Sequence, residues 1–318
     1  MKVGFIGLGN VGAKLAGSIL RNGFDLTVRD LDLAVTGEFS RLGAKVAGSP
    51  KELAEDCDVI ITCLPSPSIS ASVMEDTNGV LAGLSEGNIW IEMSTTDEQE
   101  VLRLGAKVQE KGALVADCPV SGGCHRAATG NIAIFAGCDR KVFDSVFPLL
   151  AAMGRQVLHT GPLGTASILK VVTNYLATAN LVSICEALVT TEAAGLDLAT
   201  AYEAIKISSG NSFVHETESQ VILNGSRDIN FTMDLVLKDI SLFQEIADRG
   251  QVPLEISPLL IDIFRDAQDR YGPREWSPNV IKRLEDATGL VIQAPGFPSE
   301  ISDEEPEAPG QEVGIAKS

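Results

Sequence analysis

Lys170 and Asn174 stand four residues apart in the run "SILKVVTNYLATANLVSIC", residues 167–185, where every other residue except Asn180 is apolar, Ser, Thr or Tyr. Four residues is about one helical turn, so the amine and the amide project from one face. A Lys on an apolar helix is partly desolvated, which disfavours its charged form and moves its titration toward working pH. Such an amine can take a hydroxyl proton in one direction of a reaction and return it in the other. The amide can hydrogen-bond the same hydroxyl without competing for the proton. Taken alone, Lys170 also reads as a snorkelling surface residue. Leu169, Val171, Val172, Tyr175 and Leu176, which cover nearly every direction around it, argue for burial instead.

A second group of residues suits an anion. "SGG", Ser121, Gly122 and Gly123, follows an apolar strand and offers main-chain N–H groups and a hydroxyl that can grip a carboxylate, although a plain glycine turn has the same spelling. His125 and Arg126 follow at once. Arg126, with His125, would add a cationic contact to a substrate bearing a second anionic or strongly polar group.

The elements that must position these residues are legible upstream. "KVGFIGLGNVGAKLAGSILRNG" puts Gly7, Gly9 and Gly12 in GxGxxG register between a strand and a helix. Gly7 permits the turn, Gly9 lets the main chain approach a pyrophosphate, and Gly12 lets helix pack on strand. Leu8, Asn10 and Val11 complete that loop. The second strand ends at Asp30, placed to accept hydrogen bonds from an adenosine ribose; Leu31 offers no cation for a 2′-phosphate, so NAD is expected over NADP, although Arg29 lies just before.

Candidate strands at 2–7, 25–30, 44–47, 58–64, 88–93, 113–118, 131–137 and 155–160 alternate with helical patterns, and most are continuous apolar runs, as in a parallel sheet covered on both faces. After residue 160 the patterns are helical only, near 163–194, 197–207, 213–224, 234–248, 254–269 and 278–287. The fold class expected is α/β, with an N-terminal Rossmann-type parallel-sheet domain at 1–162 followed by an all-α C-terminal domain at 163–295, the long helix 163–194 joining them. The last segment, 296–318, is acidic with little to bury and is expected to be disordered.

Composition excludes several partners. The 318 residues carry 25 Lys and Arg against 43 Asp and Glu, a net charge of −18 that repels phosphate backbones and anionic lipid surfaces, so neither nucleic acid nor membrane is expected. Lys170, Asn174, Asn180 and Glu186 interrupt the greasy run as a bilayer span. The glycine-broken N-terminus is not a signal peptide. The six cysteines form no CxxC pair and the three histidines are scattered, which suits reduced thiols in a cytoplasm and gives no metal site.

Four separated motifs, in order, resemble those of the β-hydroxyacid dehydrogenase family, which includes 3-hydroxyisobutyrate dehydrogenase, tartronate semialdehyde reductase and, more distantly, 6-phosphogluconate dehydrogenase. They are "GFIGLGNVG" (4–12), "DCPVSGG" (117–123), "GPLGTASILKVVTN" (161–174) and "FTMDLVLKDI" (231–240). The resemblance spans residues 1 to about 290. It implies that Ser121, Gly122 and Gly123 bind a substrate carboxylate, that Lys170 is the catalytic group, and that Asn174 orients the substrate. Lys238 would close over cofactor and substrate, and Leu64, Pro65, Ser94 and Thr95 match loops that contact the cofactor. The implied activity is NAD-dependent hydride transfer between a short, small anionic 3-hydroxy acid and its semialdehyde, by a homo-oligomer, dimer or tetramer.

The chain departs from the family pattern at Val11, Arg126, Ala166 and Thr173, where relatives commonly carry Met, Gly, Gly and Asn. Those departures leave the catalytic pair in place and the substrate open. Two rival expectations are an NADPH-dependent semialdehyde or imine reductase of the same family, disfavoured by Asp30 and Leu31, and a catalytically silent NAD-binding sensor, which would not need the Lys170 and Asn174 pair.

Overall fold

The computed structural model describes residues 1–315. Two compact units emerge, one from Met1–Lys170 together with the chain from Asp303, the other from Val171–Ser302. The division falls inside a helix rather than at residue 162, where the strand signals end.

The first unit is built on a ten-stranded sheet: β1 (Lys2–Ile6), β2 (Asp25–Arg29), β3 (Lys45–Val46), β4 (Val59–Thr62), β5 (Ile89–Glu92), β6 (Leu114–Asp117), β7 (Val120–Ser121), β8 (Ile132–Gly137), β9 (Gly154–Gly161) and β10 (Gln311–Glu312). The order is β10-β9-β8-β6-β5-β4-β1-β2-β3, with β7 on β8. Pairing is parallel except where β8 meets β6 and β7. Among the described residues eight helices lie wholly within this unit: α1 (Gly12–Arg21), α2 (Leu33–Arg41), α3 (Pro50–Asp56), α4 (Pro67–Glu75), α5 (Val80–Gly83), α6 (Glu98–Glu110), α7 (Gly123–Ala128) and α8 (Arg140–Met153).

Consecutive strand residues fall into different cores. Phe5, Ile61, Ile91 and Ala116 pack in one cluster with α1 and α8, while Ile6, Ile60, Trp90 and Val115 pack in another with α3 and α6. This is the two-residue period of a sheet covered on both faces, and it explains the unbroken apolar strands in the sequence. Gly4 marks a close crossing of β1 and α3, since a Cβ there would lie 2.1 Å from Leu53 Cδ2.

The long helix α9 (Thr165–Ala193) is followed by α10 (Leu198–Lys206), α11 (Phe213–Asn224), α12 (Met233–Arg249) and α13 (Ile256–Tyr271), then a 3₁₀ turn at Ser277–Ile281 and α14 (Lys282–Thr288). By length and composition α9 could cross a bilayer. Its apolar side chains have another use: Leu181, Ile184, Cys185, Leu188 and Val189 are buried against residues such as Tyr202, Ile222, Met233, Ile240 and Phe264 in the core of the helical unit.

The expected disorder of the acidic tail is corrected for its described part; Ala316, Lys317 and Ser318 lie outside the described residues. Asn224 and Ser226 bond the carbonyls of Phe297 and Ser299 at 2.8 and 2.7 Å. Beyond Asp303 the chain runs along the sheet unit and adds β10 parallel to β9, with Gly310 N–H donating to Ala151 and Val313 N–H to Val157 at 2.9 and 2.8 Å. Arg140 pairs with Glu312 and Arg21 with Glu307. Low hydrophobicity misleads here because order comes from main-chain bonds to an open sheet edge and from basic partners rather than from core burial. Gly310 is required by the close approach, since a Cβ there would sit 2.0 Å from the Gly154 carbonyl oxygen.

Candidate active site

The glycine loop shows three different demands for one residue type. Gly7 has φ +98 and a Cβ there would lie 2.2 Å from the Cys63 carbonyl oxygen; a Cβ on Gly12 would lie 2.0 Å from the Gly7 carbonyl oxygen. Both are fixed by the fold. At Gly9 a Cβ would meet nothing within 4 Å, and Gly9 and Asn10 are exposed just before α1. Space against bare main chain before a helix N-terminus is what a pyrophosphate requires, so the loop fits a dinucleotide. Asp30 ties the loop to β2: its carboxylate accepts from Leu8 N–H at 2.5 Å and Asp32 N–H at 2.9 Å. The Arg29 guanidinium folds onto the Asp30 carbonyl. Leu8 is buried, Gly12 opens α1, and Val11 is half-buried at its N-cap without a side-chain cap.

Leu64, Pro65, Ser94 and Thr95 follow β4 and β5, which are neighbours in the sheet. Leu64 N–H donates to Ser94 Oγ at 2.7 Å, and both the hydroxyl and the N–H of Ser94 donate to Glu92. Glu92 is 1% exposed. Burial pushes its carboxyl up, against the hydrogen bonds from Ser94. Ser94 is therefore buried beneath the loop that Leu64 begins. Glu92, which organises the pair, was missed; its signal was an acid closing the apolar strand "NIWIEM".

The SGG loop runs from β7 into α7. Gly122 and Gly123 have φ +128 and +87, a conformation that disfavours side chains. The side chains of α7 fold back over them: a Cβ at Gly122 would lie 3.3 Å from Arg126 Cδ, and one at Gly123 would lie 2.8 Å from His125 Cε1. His125 and Arg126 thus border the loop, as the sequence suggested. Burial, then the Arg126 charge, lowers the His125 pKa, and Asp303 opposes this. Ser121 pairs with Ala133 in β8.

Asp117, at the other end of the same motif, is a site residue whose role the sequence alone does not reveal. It is wholly buried, and its oxygens accept from Gly164 N–H at 3.0 Å and from Ser167 N–H and Oγ at 2.8 and 3.0 Å. These donors lie in the chain entering α9 and in its first turn, so the carboxylate clamps the start of the helix that carries Lys170. Burial pushes the Asp117 carboxyl up, opposed by those same hydrogen bonds. Lys170, three residues beyond Ser167, is 8% exposed, which excludes the snorkelling surface reading.

In the helical unit Asn174 and Lys238 meet through a third residue. Asn174 Nδ2 donates to Asp239 Oδ2 at 2.5 Å, and Lys238 Nζ lies 2.7 Å from Asp239 Oδ1. Asp239 is 1% exposed. The stacked rings of Tyr175 and Phe243, 4.1 Å between centroids, hold α9 against α12 one residue beyond Asn174. Asp239 was also missed as a site residue; the signal was the acid that follows Lys238 in the KD motif.

Two family models cover the chain in tandem. Residues 2–161 match the NAD binding domain of 6-phosphogluconate dehydrogenase, and residues 164–284 match the NAD-binding domain of NADP-dependent 3-hydroxyisobutyrate dehydrogenase. The chain is 33% identical to 2-(hydroxymethyl)glutarate dehydrogenase of Eubacterium barkeri, over 92% of this chain and 97% of that one. The chain belongs to the β-hydroxyacid dehydrogenase family. To mitochondrial 3-hydroxyisobutyrate dehydrogenase of Mus musculus it is 33% identical, over 83% of this chain and 81% of the relative. The crystal structure of 3-hydroxyisobutyrate dehydrogenase from Salmonella typhimurium superposes with a TM-score of 0.82 at 26% identity, over 89% of this chain and 99% of that one.

As a β-hydroxyacid dehydrogenase the protein is an NAD(P)-dependent oxidoreductase, with the sheet unit followed by the helical unit that the family shares. The cysteines are free among the described residues, and burial pushes the thiols of Cys63 and Cys138 up to about 12. Those two are poor nucleophiles at neutral pH. Among the described residues no group of three or more His, Cys, Asp and Glu side chains is arranged to hold a metal ion.

Proposed function

We propose that the protein oxidises a short 3-hydroxy acid to its semialdehyde, and runs the reverse, with Lys170 as the acid–base and the SGG loop as the carboxylate site. The bound nicotinamide supplies the hydride acceptor, or donor in reverse. Ser121 Oγ and the main chain of Gly122 and Gly123 hold the substrate carboxylate. Lys170 Nζ takes the hydroxyl proton as the carbinol hydride leaves and the C=O forms, and returns a proton to the oxygen in the reverse direction. The observation that carries this reading is Asp117: one buried carboxylate opens the SGG motif and also clamps the first turn of α9, three residues before the buried Lys170.

One amide N–H of Asn174 is given to Asp239, which fixes the orientation of the side chain that would hydrogen-bond the substrate hydroxyl. Lys238, paired to the same Asp239, adds a cationic contact to cofactor and substrate. Gly7 to Gly12, Leu64, Pro65 and Thr95 form the cofactor loops, with Ser94 supporting Leu64. Asp30 and Leu31 favour NAD over NADP.

The relatives' names, hydroxyisobutyrate and (hydroxymethyl)glutarate, describe acids with a hydroxyl on the β carbon, in line with this substrate class. Free, mostly buried cysteines suit a cytoplasmic enzyme, and the family resemblance suggests a homo-oligomer, dimer or tetramer. A panel of branched, hydroxylated and dianionic 3-hydroxy acids, assayed with NAD and with NADP, tests the reading. At least one acid should reduce NAD with a kcat/KM about tenfold or more above that with NADP. Failure of every acid with both cofactors, despite tight NAD binding, would leave the silent sensor as the better account.

A further inference from the structure

The segment from Asp303 to Val313 lies beyond both matched family segments, which end at residues 161 and 284, yet it is bound along the sheet unit as a strap. Its first anchor is at α7. Asp303 Oδ2 accepts from Thr129 Oγ1 and, at 2.8 Å, from Asn131 Nδ2, while Oδ1 accepts from Glu305 N–H at 3.3 Å. Thr129 and Asn131 are the residues that terminate α7: Thr129 Oγ1 also lies 3.2 Å from the Arg126 carbonyl oxygen, and Asn131 N–H donates to the same carbonyl at 2.8 Å.

The carboxylate is therefore held within one turn of Arg126, whose stem lies over Gly122. Burial alone would raise the Asp303 pKa, but the hydrogen bonds from Thr129, Asn131 and Glu305, with the Arg126 charge, leave it below the usual carboxylate value, so the group is an anion at neutral pH. The strap is pinned again at Asn131 to Glu305, at Arg21 and Asn22 to Glu307, and at β10, so the anion cannot swing away.

We propose that Asp303 is a specificity-determining residue: carried back to α7 by the strap, its fixed negative charge offsets Arg126 and selects for monoanionic substrates over those with a second anionic group. This rests on the SGG loop being the carboxylate site. Without Asp303, the positive charge of Arg126 beside Gly122 would be offset less, favouring a dianion. With it, the attraction above the loop is weaker, and a second carboxylate gains less.

The test uses Asp303→Asn in the full chain, which removes the charge and keeps an oxygen for Thr129 and Asn131. With NAD bound, dissociation constants are measured for 3-hydroxyisobutyrate and for 2-(hydroxymethyl)glutarate, alongside kcat/KM for each. The variant should shift both ratios about five- to tenfold toward the dianion, and the shift should vanish when Arg126→Gln is combined with it. Ratios unchanged within twofold, a shift that persists in the double variant, or no binding of either acid to either protein would overturn the proposal. Hydrogen exchange at Gly310 and Val313 reports whether the strap stays paired. A ratio shift accompanied by loss of that protection would assign the effect to undocking and overturn the role of Asp303. Binding that discriminates as expected, but without turnover, would sink the dehydrogenase reading alone.

Discussion

The sheet unit and the helical unit hold their candidate site residues by different means. In the sheet unit the scaffold is mostly main chain: glycines at 7, 12, 122 and 123 are forced by φ or by close approach. In the helical unit the scaffold is side chain on side chain, with Asn174 and Lys238 sharing the buried Asp239. Main-chain geometry permits almost no substitution but is spelled in the sequence by the residue type. Side-chain pairing permits conservative substitution and leaves only a faint sequence signal where the partners are distant, as Asn174 and Asp239 are at 65 residues apart.

The largest break in that comparison should come at Gly12. Gly12→Val forces a side chain onto the Gly7 carbonyl and should destabilise the protein by about 3 kcal/mol or more while abolishing cofactor binding. Gly9→Ala meets open space, so its melting temperature should stay within a degree or two of wild type while NAD affinity falls about tenfold. Thermal melts with fluorescence titration of NADH separate the two glycines, and equal melting losses would show that Gly9 is structural too.

Asp117 is where the sheet unit depends on a side chain. Asp117→Ala orphans three buried donors and should cost about 2–4 kcal/mol in urea unfolding. As a positioning residue for Lys170 it should also lower kcat in folded protein with NAD affinity unchanged. A variant that is less stable yet turns over normally would confine Asp117 to a structural role.

Asp239→Asn should be milder for stability, about 1 kcal/mol, because an amide can still accept from Asn174. Loss of the charge beside Lys238 should lower kcat/KM about tenfold, and Asp239→Ala should lower it further. Steady-state kinetics of the pair decide whether charge or hydrogen bonding matters.

A separate, pH-dependent effect concerns Glu218 on α11, whose carboxyl burial pushes up to about 8. A group raised in the folded state contributes stability below its unfolded value near 4.5 and loses it as pH rises through about 8. The protein should therefore become less stable from pH 5 to pH 8.5 by this contribution, and Glu218→Gln should flatten that part of the profile. Urea midpoints at the two pH values measure it.

Much of the fold was legible in the sequence. Apolar strands and helix-period runs come from local burial, and helix α11 at Phe213–Asn224 was located to the residue. Of the smaller elements, β7 is only two residues long and β3 was shorter than expected. The helix expected at 278–287 opens as a 3₁₀ turn with Pro278 in its first turn. At the candidate site, the glycines and Lys170 could be found because their types and spacing are themselves the signal. Asp117, Glu92 and Asp239 look like any acid at the end of a strand or inside a helix; their roles depend on partners that folding brings together. The strap was missed because edge pairing is bought with main-chain bonds, to which composition is blind.

The central claim is that Lys170 moves the proton. Single-turnover hydride transfer by Lys170→Ala, with NAD affinity measured on the same sample, tests it most directly. Transfer should slow by about 10²–10⁴-fold with NAD affinity within about threefold of wild type. Transfer at more than about a tenth of the wild-type rate, in protein that binds NAD normally, would contradict it.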